Sequence, residues 1–144
     1  MDTKERGRRF VILIRINYIS STNEMSYVKM TKDNTKIFKA LSDPNRLRIL
    51  KMLQSKSLCV CEITDILKLA TSTVSKHLSI LKDTGFILEQ KDGKWVNYLI
   101  NSRPADPRIS SVISTLDFWI SDDQTILSDK QKIQKVNRNE VCSR

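Results

Sequence analysis

Two cysteines flank a single valine in the stretch "SLCVCEIT", residues 57–64, and a third, Cys142, stands near the C-terminus. Three cysteines are too few for a disulfide framework, and Cys59 and Cys61 lie too close for an ordinary structural bridge. The pattern fits a reducing, cytoplasmic setting, where clustered thiols serve metal or redox chemistry more often than cross-linking. Soft thiolates select thiophilic ions, so the pair favours As(III), Sb(III), Cd(II), Pb(II) or Zn(II) over hard cations. The plainer alternative makes Cys59 and Cys61 small apolar fillers of a core and Cys142 an exposed thiol in a polar tail.

Spacing adds a constraint. A regular helix turns about 100° per residue, so positions two apart point about 200° apart. Cys59 and Cys61 therefore grip one ion only if they sit in an irregular helix entry, or if binding unwinds the first turn. Either way the spacing suggests a switch as well as a site.

The elements that must position these thiols are mostly helical. With 40% hydrophobic residues and only three Gly and three Pro, the 144-residue chain reads as one domain with a real core. Residues 1–29 stand apart as an N-terminal extension: either a basic arm or upstream sequence carried by an early start, with Met25 and Met30 as alternative starts. Residues 30–121 carry the patterned domain, and residues 122–144 read as a polar tail. Ile37, Phe38 and Leu41 form one apolar face. Asp43 then supplies an N-cap ahead of Pro44, opening a helix with Leu47, Ile49, Leu50 and Leu53 inward and Arg46, Arg48 and Lys51 mostly outward. A third helix runs through roughly 60–68. A fourth starts near Thr71 or Ser72, carries Val74, Leu78 and Leu81 inward, and closes on Gly85. "FILEQKDGKWVNYLI" is a β-hairpin about Asp92-Gly93, and a last helix spans about 107–121. The fold class is thus mainly α with a small β-hairpin. The apolar run near residues 10–20 is short and broken by Arg15, so no membrane span is predicted.

Two short helices joined by a tight turn and followed by a hairpin make a winged helix-turn-helix, whose second helix enters the DNA major groove. The formal charge of +9 favours a polyanionic partner. Thr71, Ser72, Thr73, Ser75, Lys76 and His77 are the candidate readers on the fourth helix, and Lys91 and Lys94 the wing contacts. Thr71 or Ser72 also suits an N-cap, and His77 also suits a packed core position.

Together, "FKALSDPNRLRILKML", "LCVCEI", "STVSKHLSILKDTGFI" and "KDGKWVNYLI" resemble, in this order and spacing, the ArsR/SmtB family of metal-sensing repressors, most closely its arsenic-sensing branch. The resemblance covers about residues 34–120. It implies a homodimer, paired through the first and last helices of the domain, that binds palindromic operator DNA and releases it on binding an inducer. In the arsenic branch the ligands are the two cysteines of this motif and a third cysteine three residues later, where this chain has Thr64. Three completions follow: Cys142 folds back, a small thiol such as glutathione joins, or two cysteines suffice. The last-helix zinc site of the family's zinc-sensing branch needs histidines that this chain does not have there.

Two further readings compete. Oxidation of the thiols rather than metal binding would alter DNA affinity. A small thiol enzyme is disfavoured because the chain has no C-x-x-C motif and no Gly-rich cofactor loop.

Overall fold

The computed structural model describes residues 34–143. The readings made for residues 1–29 lie outside the described residues. The compact unit considered below spans Ile37–Arg144.

Helical residues 34–41 (α1) lead into α2 (Pro44–Ser55), β1 (Leu58–Cys59), α3 (Val60–Leu67), α4 (Thr71–Asp83), β2 (Ile87–Asp92), β3 (Trp95–Ile100), α5 (Pro107–Ile120), α6 (Gln124–Lys135) and α7 (Arg138–Val141). The boundaries follow local chemistry. The Asp43 carboxylate accepts from the N–H groups of Asn45 and Arg46 at 2.8 and 3.2 Å, with Pro44 in the first turn. α4 ends in a Schellman turn: Gly85 N–H donates to Lys82 O and Phe86 N–H to Leu81 O, with Gly85 at φ 88°. Gly93, at φ 59°, is the first of two loop residues between β2 and β3, the position a II′ turn reserves for glycine.

The sheet has three strands in the order β1-β3-β2, all antiparallel. The sequence announces only the hairpin. β1 is two residues long and escapes any alternation pattern, yet it pairs Leu58 with Tyr98 and Cys59 with Asn97. Ile49, Leu50, Met52 and Leu53 of α2 meet Ile63 and Ile66 of α3, Val74, Leu78 and Leu81 of α4, and Phe86 and Ile87 in one core. The α3–α4 pair, joined by Lys68–Ala70, is the helix-turn-helix.

Two details correct the sequence reading. Arg46 does not point outward; it is buried, with its Nη2 donating to Lys39 O at 2.7 Å and its Nε to Ala40 O, so it caps the carbonyl end of α1. The described part of the polar tail, residues 122–143, holds two helices. Ile126, Asp129 and Ile133, on one face of α6, are buried. There Asp129, at 3% side-chain exposure, takes a two-pronged contact from Arg48 of α2, Nε to Oδ2 at 2.7 Å and Nη2 to Oδ1 at 2.9 Å. No helix among the described residues is long and apolar enough to cross a membrane.

Removing one partner of a buried pair destabilises by about 3–5 kcal/mol, and without Arg48 the Asp129 charge keeps only the half-exposed Lys132 ammonium at 3.6 Å. Arg48→Met is expected to lower unfolding stability in urea by about 3 kcal/mol, and adding Asp129→Leu should recover most of it. A single mutant with unchanged stability would mean the pair does not hold α6.

Candidate metal centre and nucleic-acid interface

Cys59 is not part of a helix. It closes β1 and serves as the N-cap residue of α3, with extended backbone (φ −85°, ψ 166°). Its N–H donates to Glu62 Oε2 at 2.8 Å, the reciprocal half of a capping box. Cys61 lies in the first turn of α3. Because Cys59 stands outside the helix, the rule that sends positions two apart to opposite faces does not apply, and both thiols reach the same side. This is the irregular helix entry, the first of the two arrangements the spacing allowed.

Cys142, the C-cap residue of α7, completes the group. Its Sγ lies 3.3 Å from that of Cys59, and the three sulfurs all fall within 4.8 Å of one another. Metal–thiolate bonds of about 2.3 Å in a tetrahedral site separate their sulfurs by about 3.8 Å. The donor set and its spacing therefore suit a thiophilic ion after small adjustment. Thr64, at the position of the family's third cysteine, has a buried hydroxyl with no hydrogen-bond partner. With Cys61, Val141 and Cys142 it lines a cleft of about 500 Å³.

Burial pushes the Cys59 thiol above the ordinary range, and the Glu62 backbone N–H only partly offsets it. Burial, then hydrogen bonds with Cys61 and Cys59, push Cys142 further up. Cys59 and Cys142 are consequently protonated at neutral pH, and a bare cation must displace protons to bind there.

The second surface is α4 and its wing. Thr71, Ser72, Thr73, Ser75 and Lys76 are exposed in the first turns. The N-cap residue is Ala70, and no side chain caps the helix, so Thr71 and Ser72 have no such duty. His77 is a correction: it is 9% exposed and faces α2, with Nδ1 3.5 Å from Arg46 Nη1 and 4.0 Å from Asp43 Oδ1. It follows the inward positions Val74 and Leu78 rather than the outward ones, because i+3 neighbours share a face. On the wing Lys91 and Lys94 are exposed, and the Lys94 ammonium lies over the Trp95 ring at 4.7 Å. Phe38, Phe118 and Trp119 are exposed at 72, 88 and 62%, on the two segments read as pairing faces.

Sequence reasoning missed Arg138, whose guanidinium contacts Asn97 and Asp92. Its polar surroundings in the chain carry no periodic signal that would have marked it.

Residues 43–88 match the family model described as bacterial regulatory protein, arsR family. The chain is 45% identical over 82 residues to an uncharacterised helix-turn-helix transcriptional regulator of Methanocaldococcus jannaschii, covering 56% of this chain and 88% of that one. It is 32% identical over 104 residues to the arsenical resistance operon repressor of Escherichia coli K12, covering 72% and 80%. Among solved structures, reduced HlyU from Vibrio cholerae matches with a TM-score of 0.55 and 28% identity, over 68% of this chain and 97% of that one.

Proposed function

The chain belongs to the arsR family of bacterial regulatory proteins, and on that premise we propose a cytoplasmic, homodimeric repressor that releases its operator when Cys59, Cys61 and Cys142 bind As(III) or Sb(III). The convergence of three thiols from β1, α3 and α7 carries this reading. A soft trivalent centre accepts three thiolates, and Cys142 stands in for the cysteine that Thr64 replaces. The relatives' range extends to proteins named for cadmium resistance, so Cd(II), with Pb(II) and Zn(II), is the alternative inducer class.

The position of Cys59 supports a link to DNA binding. Cys59 belongs at once to the strand paired with the wing and to the cap of α3, and α3 packs on α4. When the three sulfurs adjust to the spacing of a bound ion, the entry of α3 shifts against both the reading helix and the wing. Thr71, Ser72, Thr73 and Ser75 offer hydroxyls to bases and phosphates, while Lys76, Lys91 and Lys94 neutralise phosphates. A second copy covers Phe38, Phe118 and Trp119 and presents two reading helices to a palindrome.

A second reading, thiol oxidation, draws on the 3.3 Å between Cys59 and Cys142 sulfurs. There, peroxide takes two electrons and two protons from the thiols, leaving a disulfide and two waters. Peroxide that releases operator DNA from reduced protein without arsenite would favour it.

The decisive experiment is fluorescence anisotropy of reduced protein on DNA upstream of its own gene, titrated with arsenite. Release at stoichiometric arsenite is expected. Cys59→Ser and Cys61→Ser should bind DNA but ignore arsenite, and Cys142→Ser should weaken arsenite binding by at least about tenfold, or ~1.4 kcal/mol. A normal response in either of the first two mutants removes the site. The proton balance separates the inducers. Arsenous acid condenses with thiols and releases water, so its affinity should stay nearly flat between about pH 6 and 8. Cd(II) displaces the protons that burial keeps on Cys59 and Cys142, so its affinity should climb by about two decades or more per pH unit. On the DNA side, Lys76→Ala should weaken specific and non-specific DNA alike and lower the salt slope by about 1; a sequence-selective loss would instead make Lys76 a base reader.

A further inference from the structure

We infer that Arg138 is the positioning residue that carries a change at the thiol cluster to the wing; the inference rests on the thiol-sensing reading above. The side chain of Arg138 binds three elements at once. Its Nη2 donates to Asn97 Oδ1 at 2.7 Å, its Nη1 to Asp92 Oδ2 at 3.2 Å, and its Nε lies 3.9 Å from Glu62 Oε2. Each partner has a tie to the sensor or the wing. Glu62 is the buried carboxylate that accepts the Cys59 N–H. Asn97 is the residue opposite Cys59 in the β1–β3 register, and its own Nδ2 donates to Asp92 Oδ2 at 3.3 Å. Asp92 is the last residue of β2, next to the wing tip, between Lys91 and Gly93.

Arg138 is also joined to the thiols through its own helix. It opens α7, and the Cys142 N–H donates to the Arg138 carbonyl at 3.0 Å. One helical turn therefore links the cysteine to the guanidinium, with no flexible segment between them. Cys59 and Cys142 sulfurs stand 3.3 Å apart, and an ion held between them would set them about 3.8 Å apart. Resetting Cys142 to that spacing shifts α7, and the 2.7 Å hydrogen bond from Arg138 to Asn97 weakens as it is stretched or turned. The planar fork of arginine holds Asp92 and Asn97 in fixed directions, so its shift drags the hairpin rather than swivelling freely. The wing is then moved from two sides: along β3 by Cys59, and at its tip by Arg138.

The test compares wild type, Arg138→Met, Arg138→Lys and Asp92→Asn, the last at an exposed position that touches no thiol. Arsenite binding is followed by near-ultraviolet thiolate–arsenic absorbance. Operator affinity is measured with and without arsenite, and their ratio cancels any basal change. Wild type should lose roughly 5–150-fold in operator affinity on binding arsenite, a usual range of coupling. Arg138→Met should keep the absorbance and its stoichiometry while the ratio falls below about threefold, with Arg138→Lys intermediate. Asp92→Asn should shrink the ratio in the same direction and decides the matter if Arg138→Met fails to fold. In the arsenite-free protein, amide exchange of residues 87–100 should quicken in Arg138→Met and in Asp92→Asn. Retention of the wild-type ratio by an arsenite-loaded Arg138→Met, or by Asp92→Asn, overturns the coupling role. Absence of the absorbance band in wild type would overturn the thiol site itself.

Discussion

A carboxylate taken out of water must be paired, and in this protein that requirement decides where the last two helices go. Asp129 is almost fully buried on α6 and accepts two hydrogen bonds from a single guanidinium, Arg48 of α2, with the Lys132 ammonium 3.6 Å away. The pair fixes α6 in rotation and register, because a bidentate contact tolerates little of either. Ile126 and Ile133 then share the buried face on either side of it. α7 follows within a few residues, and so the position of Cys142 is set by an ion pair on another helix. A thiol in an unanchored tail would meet Cys59 only at the entropic expense of closing a long loop; here α6 has already met most of that requirement.

The other constraint is the double role of Cys59. A residue that is both the end of a strand and the N-cap of a helix cannot move without disturbing both. The strand is paired with the wing and the helix is packed on the DNA-reading helix. The small size of cysteine suits such a junction, and the capping box with Glu62 keeps the backbone polar groups satisfied. Burial keeps the thiol protonated in the absence of a ligand, which avoids a buried anion beside Glu62. In the proposed function, the same buried cap residue that stabilises the resting structure is the one whose ligation disturbs it.

Charge is distributed in keeping with these roles. Several cations are engaged in internal pairs: Arg46 at the end of α1, Arg48 with Asp129, and Arg138 with Asp92 and Asn97. Lys76, Lys91 and Lys94 instead stand exposed on the reading helix and the wing. The net charge of +9 thus overstates neither surface by itself; where the cations are free to face a polyanion matters more than their sum. His77 illustrates the same sorting. Its helical position turns it toward Arg46 and Asp43, and the outward face of the first turns of α4 is left to small hydroxyls and Lys76.

Most of the architecture was legible in the sequence because the signals that specify it are local. Asp43 before Pro44, the glycine after α4, and Asp92-Gly93 between two runs of strand-type residues each act within one turn of chain, so their effect needs no knowledge of the rest. The helical spacing of Leu47, Leu50, Val74, Leu78 and Leu81 is equally self-contained, whereas the two cysteines about a valine pointed to soft-ligand chemistry only together with the motifs around them. What only the tertiary structure decided were choices between partners far apart in the chain. Cys59 meets Cys142 across 83 positions, and Arg48 meets Asp129 across 81. The two-residue strand β1 exists only because β3 is there to pair with it, and the inward turn of Arg46 and His77 depends on the end of α1 and on Asp43. Such contacts depend on packing that brings distant surfaces together, and no propensity or spacing within a single segment encodes which buried group will find which partner.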